Sequence, residues 1–296
     1  MDRSQWGKAA NHFATHDDGT VTVYFDDGTS TEGSLLVSCE GRNSRIRRQL
    51  FPDHENYHIP VGCVGATMYA TADEVEPLRQ LDPFFLHGTA SHNDAFAYFS
   101  LLEAPIHKND EKDDTYTCQV IVSWPIREGR DSVFSSINTE TNDGRISLLK
   151  RFALTWAEPF RSLVLNMPKL TKTTRITLSD WSPPCGLRTS GSVALVGDAL
   201  HAMAMYRGEA VNHAIVDVVD FVELVLPVLT GEEGDGNLRT ALNRYEDKVV
   251  ERARPAVLAS RQACLDAHNW EHAEGGSPLL SKRAMFDEFD EGSICD

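Results

Sequence analysis

The 296 residues suffice for one large domain or two moderate ones with real cores, and the 41% hydrophobic content is that of an ordinary water-soluble globular protein. Lys and Arg number 28 against 44 Asp and Glu, a formal net charge of −16, which argues against nucleic-acid binding and against docking on anionic membranes, because both need clustered positive charge. Six scattered cysteines without a C-x-x-C pair (Cys39, Cys63, Cys118, Cys185, Cys264 and Cys295) exclude a zinc ribbon, a redox dithiol and a secreted disulfide framework.

In chain order, Met1 to Trp6 carries no apolar signal core. Val21–Phe25 alternates as a strand, turns at Asp26-Asp27-Gly28-Thr29 and leads to a second strand at Leu35–Val37. Asn43–Leu50 reads as one or two helical turns. His58–Trp124 is β-rich, with strands expected at Val61–Tyr69, Ala95–Leu101 and Tyr116–Trp124, a helix at Ala72–Leu81 capped by Thr71, and a solvated hairpin loop at Lys108–Asp114. Asp143–Trp156 and Ala157–Leu165 are expected to be helical, Thr171–Leu178 a strand, and Val193–Val196 a short buried strand. The apolar stretch Val211–Leu229 contains His213, Asp217, Asp220 and Glu223, so it is a buried or amphipathic helix and not a membrane span. Leu238, Ala241, Leu242, Tyr245 and Val249 mark a further helix that Pro255 ends or kinks. The acidic tail beyond Gly275 is expected to be loosely held. These features make an intracellular, cytoplasmic protein the expectation.

The strongest local signal is Gly197-Asp198-Ala199-Leu200-His201, continuing to Gly208, Asn212, Ala214, Ile215 and Asp217. A buried strand that ends in Gly-Asp presents a carboxylate at the strand's C-terminal edge, where α/β folds place ligands. A helix beginning about ten residues later, behind a glycine, turns its N-terminal N–H groups and positive dipole end toward an anionic or electron-rich ligand. On spacing alone, a plain turn followed by a core helix is an equal alternative.

The stretch resembles the Gly-Asp motif of the para-hydroxybenzoate hydroxylase-like FAD monooxygenases, G-D-A-A-H-x-x-x-P-x-x-G-x-G-x-N-x-A-I-x-D, with matches at Gly197, Asp198, Ala199, His201, Gly208, Asn212, Ala214, Ile215 and Asp217. Upstream, Asp27-Gly28 and then Leu35-Leu-Val-Ser-Cys-Glu-Gly-Arg-Asn-Ser-Arg-Ile-Arg47 resemble the family's D-L-L-V-G-A-D-G-x-x-S-x-V-R, and the run from Tyr245 to Arg261 is similar to its closing helices. The resemblance implies FAD as cofactor and NAD(P)H as reductant, with O2 and an aromatic small molecule as substrates. It implies that Asp198 holds the ribityl chain, that Gly208, Ala210, Val211 and Asn212 form the helix entry beside the flavin ring, and that Glu40, Gly41 and Arg45 lie near the phosphates, with Arg47 as a second cation. No catalytic base is named.

Three departures stand against this resemblance. The family's G-x-G-x-x-G strand–turn–helix is not found, so a βαβ unit of at least ~30 residues is expected to be missing. Glu40 replaces an aspartate. Met205 and Ala210 replace a proline and a glycine, the second costly where φ is positive or the flavin approaches the backbone. Three readings stay open: a truncated hydroxylase, a natural partial protein completed by a second polypeptide, and a diverged relative that lost the flavin.

The expected fold is mixed α/β: an incomplete FAD-binding Rossmann-like domain, residues 1–57 and 172–296, with an inserted β-sheet substrate domain, 58–171, covering the flavin, and C-terminal helices. The expected function is hydroxylation of an aromatic or polyketide-like molecule in secondary metabolism or aromatic catabolism; the alternative is a flavin-free binding protein or a cyclase- or isomerase-like enzyme. His201 and His213 lack a carboxylate at metal-ligand spacing, no G-x-S-x-G elbow occurs, and Met203, Met205, Trp124, Trp156 and Trp181 read as packing or pocket lining.

Overall fold

The computed structural model describes residues 4–105, 115–127, 139–232 and 236–281; the expected hairpin loop at Lys108–Asp114 lies outside them. The chain divides into two compact units, one formed by the described residues up to Tyr57 with Ser179–Gln262, the other by His58–Leu178 with Ala263–Ser281.

The first unit opens with a three-stranded antiparallel meander, β1 (Ala10–Thr15), β2 (Val21–Phe25) and β3 (Ser30–Gly33). Gly28 takes φ +81° in the turn between β2 and β3, a backbone that favours glycine. Only β2 was legible in advance: β3 is Ser-Thr-Glu-Gly and wholly exposed, and β1 buries only Phe13. After β4 (Leu36–Ser38), a turn at Gly41–Asn43 leads to α1 (Arg45–Leu50) and then β5 (Tyr57–His58).

The second unit is an antiparallel sheet built from β6 (Val61–Thr71), β7 (Phe85–Thr89), β8 (Phe96–Glu103), β9 (Thr115–Pro125) and β10 (Lys172–Arg175), in the order β10-β6-β9-β8-β7. Lys172–Arg175, assigned to the other domain from sequence, is here an edge strand pairing with Val64–Thr67. The side chains alternate as the pleat requires. Val64, Ala66, Met68, Ala97, Phe99, Val120 and Val122 join one buried cluster with α2 (Ala72–Arg79), α3 (Asn142–Ala153) and α4 (Phe160–Leu165). The expected Thr71 cap is present as a reciprocal capping box with Glu74. Trp124 pairs opposite Gly62, where a Cβ would come within 2.4 Å of the indole, and its ring packs 5.3 Å from that of Phe152.

The chain returns to the first unit through β11 (Ser179–Asp180) and β12 (Val193–Leu195). β12 runs parallel to β4, with Val193, Ala194 and Leu195 opposite Leu36, Val37 and Ser38. There follow α5 (Asp198–His201), α6 (Ala210–Leu224), α7 (Leu226–Thr230) and α8 (Leu238–Asp266). Pro255 does not end α8; the buried stripe Leu242, Tyr245, Val249, Ala253, Ala256 and Val257 continues past it. Ser277, in the expected loose tail, is buried and donates to Asp266.

α6 is turned inside out. Its buried residues are His213, Asp217 and Asp220, whereas Val211, Ile215 and Val218 are 65%, 58% and 52% exposed. Among the described residues, no helix is long and apolar enough to cross a membrane.

Candidate functional site

All nine residues singled out from the sequence lie in the first unit. β12 is fully buried and is followed, after Val196, by Gly197, whose φ of +62° and ψ of −140° suit glycine; a Cβ there would sit 3.2 Å from the Ala214 Cβ, so α6 passes close to the turn. Asp198 follows as the first residue of α5. Its half-buried carboxylate accepts no hydrogen bond among the described residues, and burial pushes its pKa up against the opposing influence of His201, Arg42 and Arg47.

The loop after α5 closes at Gly208, left-handed at φ +65° with open space where a Cβ would point. The N-terminus of α6 has no side-chain cap; the Glu209 carboxylate accepts instead from Arg207 Nε at 2.8 Å, both side chains being buried. The first-turn N–H groups therefore have no side-chain acceptor within the helix. Ala210 is the first helical residue, so it needs no positive φ. Val211 is exposed, and the half-buried Asn212 side chain makes no hydrogen bond among the described residues.

The upstream segment is occupied differently from expectation. The extra methylene of Glu40 carries its carboxylate over the start of α1, where Oε2 accepts from Ser44 Oγ at 2.7 Å, Ser38 Oγ at 3.1 Å and Ile46 N at 3.2 Å. Gly41, at φ +74°, has open space at its Cβ position, and its turn packs against α5. Arg45 points to the meander and makes a two-oxygen contact with Asp26 at 2.8 Å. Arg47 is buried: Nη1 donates to the carbonyls of Asp198 and Ala199 at 3.1 Å, and Nη2 donates to the Arg42 carbonyl and Asn56 Oδ1 at 2.6 Å. Its guanidinium also lies 4.9 Å from the Trp181 ring centroid. Burial, and then Arg48, lower the Arg47 pKa to about 10, so it is charged at neutral pH. Neither arginine, as placed here, is a free phosphate ligand.

Asp217 was legible only as a motif position. Fully buried, its Oδ2 accepts from Gly197 N and His201 Nε2, both at 2.7 Å, while Oδ1 accepts from Arg252 Nη2 at 2.7 Å. Burial raises its pKa, but the donors from His201, Arg252 and Gly197 outweigh it and hold the carboxyl below the ordinary range. His201 and His213, separated by a full loop in sequence, stand with ring centroids 6.0 Å apart. Arg252 Nη1 donates to His213 Nδ1 at 2.9 Å, which fixes the ring proton on Nε2. Among the described residues, no group of three or more His, Cys, Asp or Glu could hold a metal. Trp181 and Trp156 are buried, and Trp181 donates to the His54 carbonyl at 2.9 Å.

The arrangement is an unpartnered carboxylate at a strand end, beside a glycine turn and an uncapped helix N-terminus. Such a set can accept hydrogen bonds from ligand hydroxyls and offer N–H groups to an electron-rich group. The residues therefore fit the ribityl end of a flavin; at the phosphate end, Glu40 and Arg45 are already engaged.

No protein-family model matches the chain. A "Probable FAD-dependent monooxygenase" of Arthroderma benhamiae is 37% identical over 300 residues, covering 97% of this chain and 69% of the relative. FAD-dependent monooxygenase dbaB of Emericella nidulans is 33% identical over 78% of this chain and 58% of its own length. The chain thus spans between about three-fifths and seven-tenths of these curated relatives. Among solved structures, HpxO of Klebsiella pneumoniae, complexed with FAD and uric acid, superposes with a TM-score of 0.68 at 22% identity, over 93% of this chain and 62% of HpxO. That likeness shows a shared fold.

Proposed function

The chain belongs to the FAD-dependent monooxygenases, and from that premise we propose that it takes part in hydroxylating an aromatic or polyketide-like small molecule, with O2 as co-substrate and NAD(P)H as reductant. The observation that carries this reading is the Asp198 carboxylate, which accepts no hydrogen bond among the described residues although the Gly197 N–H and the Asp198 and Ala199 carbonyls of the same turn are held by Asp217 and Arg47. Bound FAD supplies the redox and oxygen-activating chemistry. Asp198 accepts from ribityl hydroxyls, Gly208 clears space for close approach, and the α6 N-terminus at Ala210–Asn212 offers N–H groups to the ring. Gly41 lines the same side of the turn through its contact with α5. The reaction is assigned to secondary metabolism or aromatic catabolism, and the five free cysteines among the described residues suit a cytoplasmic enzyme.

Two surfaces of the first unit favour completion by further polypeptide, either in a longer form of this chain or from a second protein. Parallel sheets are normally covered and extended on both sides, yet among the described residues β4 pairs only with β12 and leaves Val37 exposed. The apolar stripe of α6 faces outward.

Titrating the purified chain with FAD and following visible absorbance tests the proposal. A flavin spectrum that is bleached by NAD(P)H and restored by O2 supports it. A folded chain that stays colourless, alone and as part of a longer form, overturns it in favour of a flavin-free role.

A further inference from the structure

The Gly197–Ala199 turn is gripped from two directions. On the N–H side, Gly197 N donates to Asp217 Oδ2 at 2.7 Å, and the same oxygen takes His201 Nε2. On the carbonyl side, Arg47 holds the oxygens of Asp198 and Ala199. The Asp217 grip depends on Arg252 of α8, which lies 35 residues away in sequence and donates to Asp217 Oδ1 at 2.7 Å, to Asp220 Oδ2 at 3.3 Å, and to His213 at both Nδ1 and its carbonyl. A buried carboxylate without a cation takes up a proton, and a protonated Asp217 could no longer accept from Gly197, His201 and Arg252 together.

We propose that Arg252 is a positioning residue: through Asp217 it fixes the Gly197 peptide and thereby aims the Asp198 carboxylate, so that α8 acts on the ligand site without touching the ligand. The inference rests on the cofactor reading given above for Asp198. It also accounts for the inverted polarity of α6, whose buried face carries the two aspartates and the histidine that Arg252 engages. Lys248 adds a second α8 contact to Asp220 at 2.7 Å.

A double-mutant cycle tests this in the whole chain, with FAD as the probe and fluorescence quenching as the readout. Arg252→Met should weaken FAD by about tenfold or more, the loss expected when a charge-assisted hydrogen bond is no longer presented correctly. Arg252→Lys, which restores one donor, should recover part of it. In an Asp198→Asn background, Arg252→Met should have little further effect, because it acts through the side chain already altered. The His213 ring, followed by NMR, should titrate higher in Arg252→Met than in the wild type, at a temperature where both are folded.

Equal losses from Arg252→Met in both backgrounds would overturn the inference and leave Arg252 a purely structural residue. If Asp198→Asn leaves a flavin-binding chain unaffected, or if the wild type takes up no FAD, the cofactor reading fails and the inference falls with it.

Discussion

Arg47 Nη1 lies 3.1 Å from the carbonyl oxygen of Asp198, joining residues 151 positions apart. The second motif of the sequence thereby serves the first as a buried brace. Removing its side chain takes a donor from four buried or partly buried acceptors, the Arg42, Asp198 and Ala199 carbonyls and Asn56 Oδ1, of which the Arg42 carbonyl keeps Asn56 Nδ2 at 3.2 Å. Arg47→Met should therefore cost about 3 kcal/mol in urea unfolding. Arg47→Lys should restore only part, because an ammonium lacks the planar fork.

Ala210 departs from the glycine of the family's pattern, yet it is the first residue of α6 and has ordinary helical backbone. Ala210→Gly should lower stability by up to about 1 kcal/mol through lost helix propensity. It should leave flavin affinity unchanged. A gain in affinity would show that the methyl obstructs the ring.

Two buried histidines make stability pH-dependent. Burial first, then Arg252 and His201, lower His213 to about 4. Burial likewise takes His268 to about 4, although its contact with the Cys264 carbonyl opposes this. Between pH 6.5 and 4 the unfolded chain binds protons that the folded chain refuses. Stability should be full above pH 6.5 and decline as the pH falls to 4, by up to about 3 kcal/mol for each histidine. Thermal melts across this range should show that slope, reduced in a His268→Gln variant that keeps a polar contact to Ser123.

The outward stripe of α6 should drive association. Replacing Ile215 and Val218 by aspartate should shift light scattering of the isolated chain toward monomer with little change in melting temperature, because both side chains are more than half exposed. A longer form that buries the stripe should instead be destabilised by the same pair.

Much of this was legible in the residues themselves. The patterns of β6, β8 and β9 and the Thr71 cap of α2 gave those elements nearly to their ends, because local pattern and tertiary burial agree there. β1, β3 and β7 were not legible: β3 has no apolar side, and β7 follows a Pro-Phe-Phe run without alternation. At the site, the Gly-Asp turn followed from the short strand Val193–Leu195 and its glycine. The engagement of Arg45 with Asp26 and the burial of Arg47 did not, because helical spacing places charges on faces without saying which face a neighbouring element covers. The same blindness hid α6, where hydrophobicity marks the helix but the aspartates mark its interior. The one available signal was the pairing of Asp217 and Asp220 with a basic position in the closing helix.

A flavin held, as proposed, by the Asp198 turn and the α6 N-terminus would leave its mark on individual backbone amides. The most direct measurement is an amide NMR titration of the 15N-labelled chain with FAD and, separately, riboflavin, which carries the ribityl chain and ring without the phosphates. Saturable shifts concentrated at Gly197–Ala199 and Gly208–His213 are expected with both ligands, as is their loss in Asp198→Ala. Shifts confined to other residues, or shifts at these positions that persist in Asp198→Ala, would contradict it.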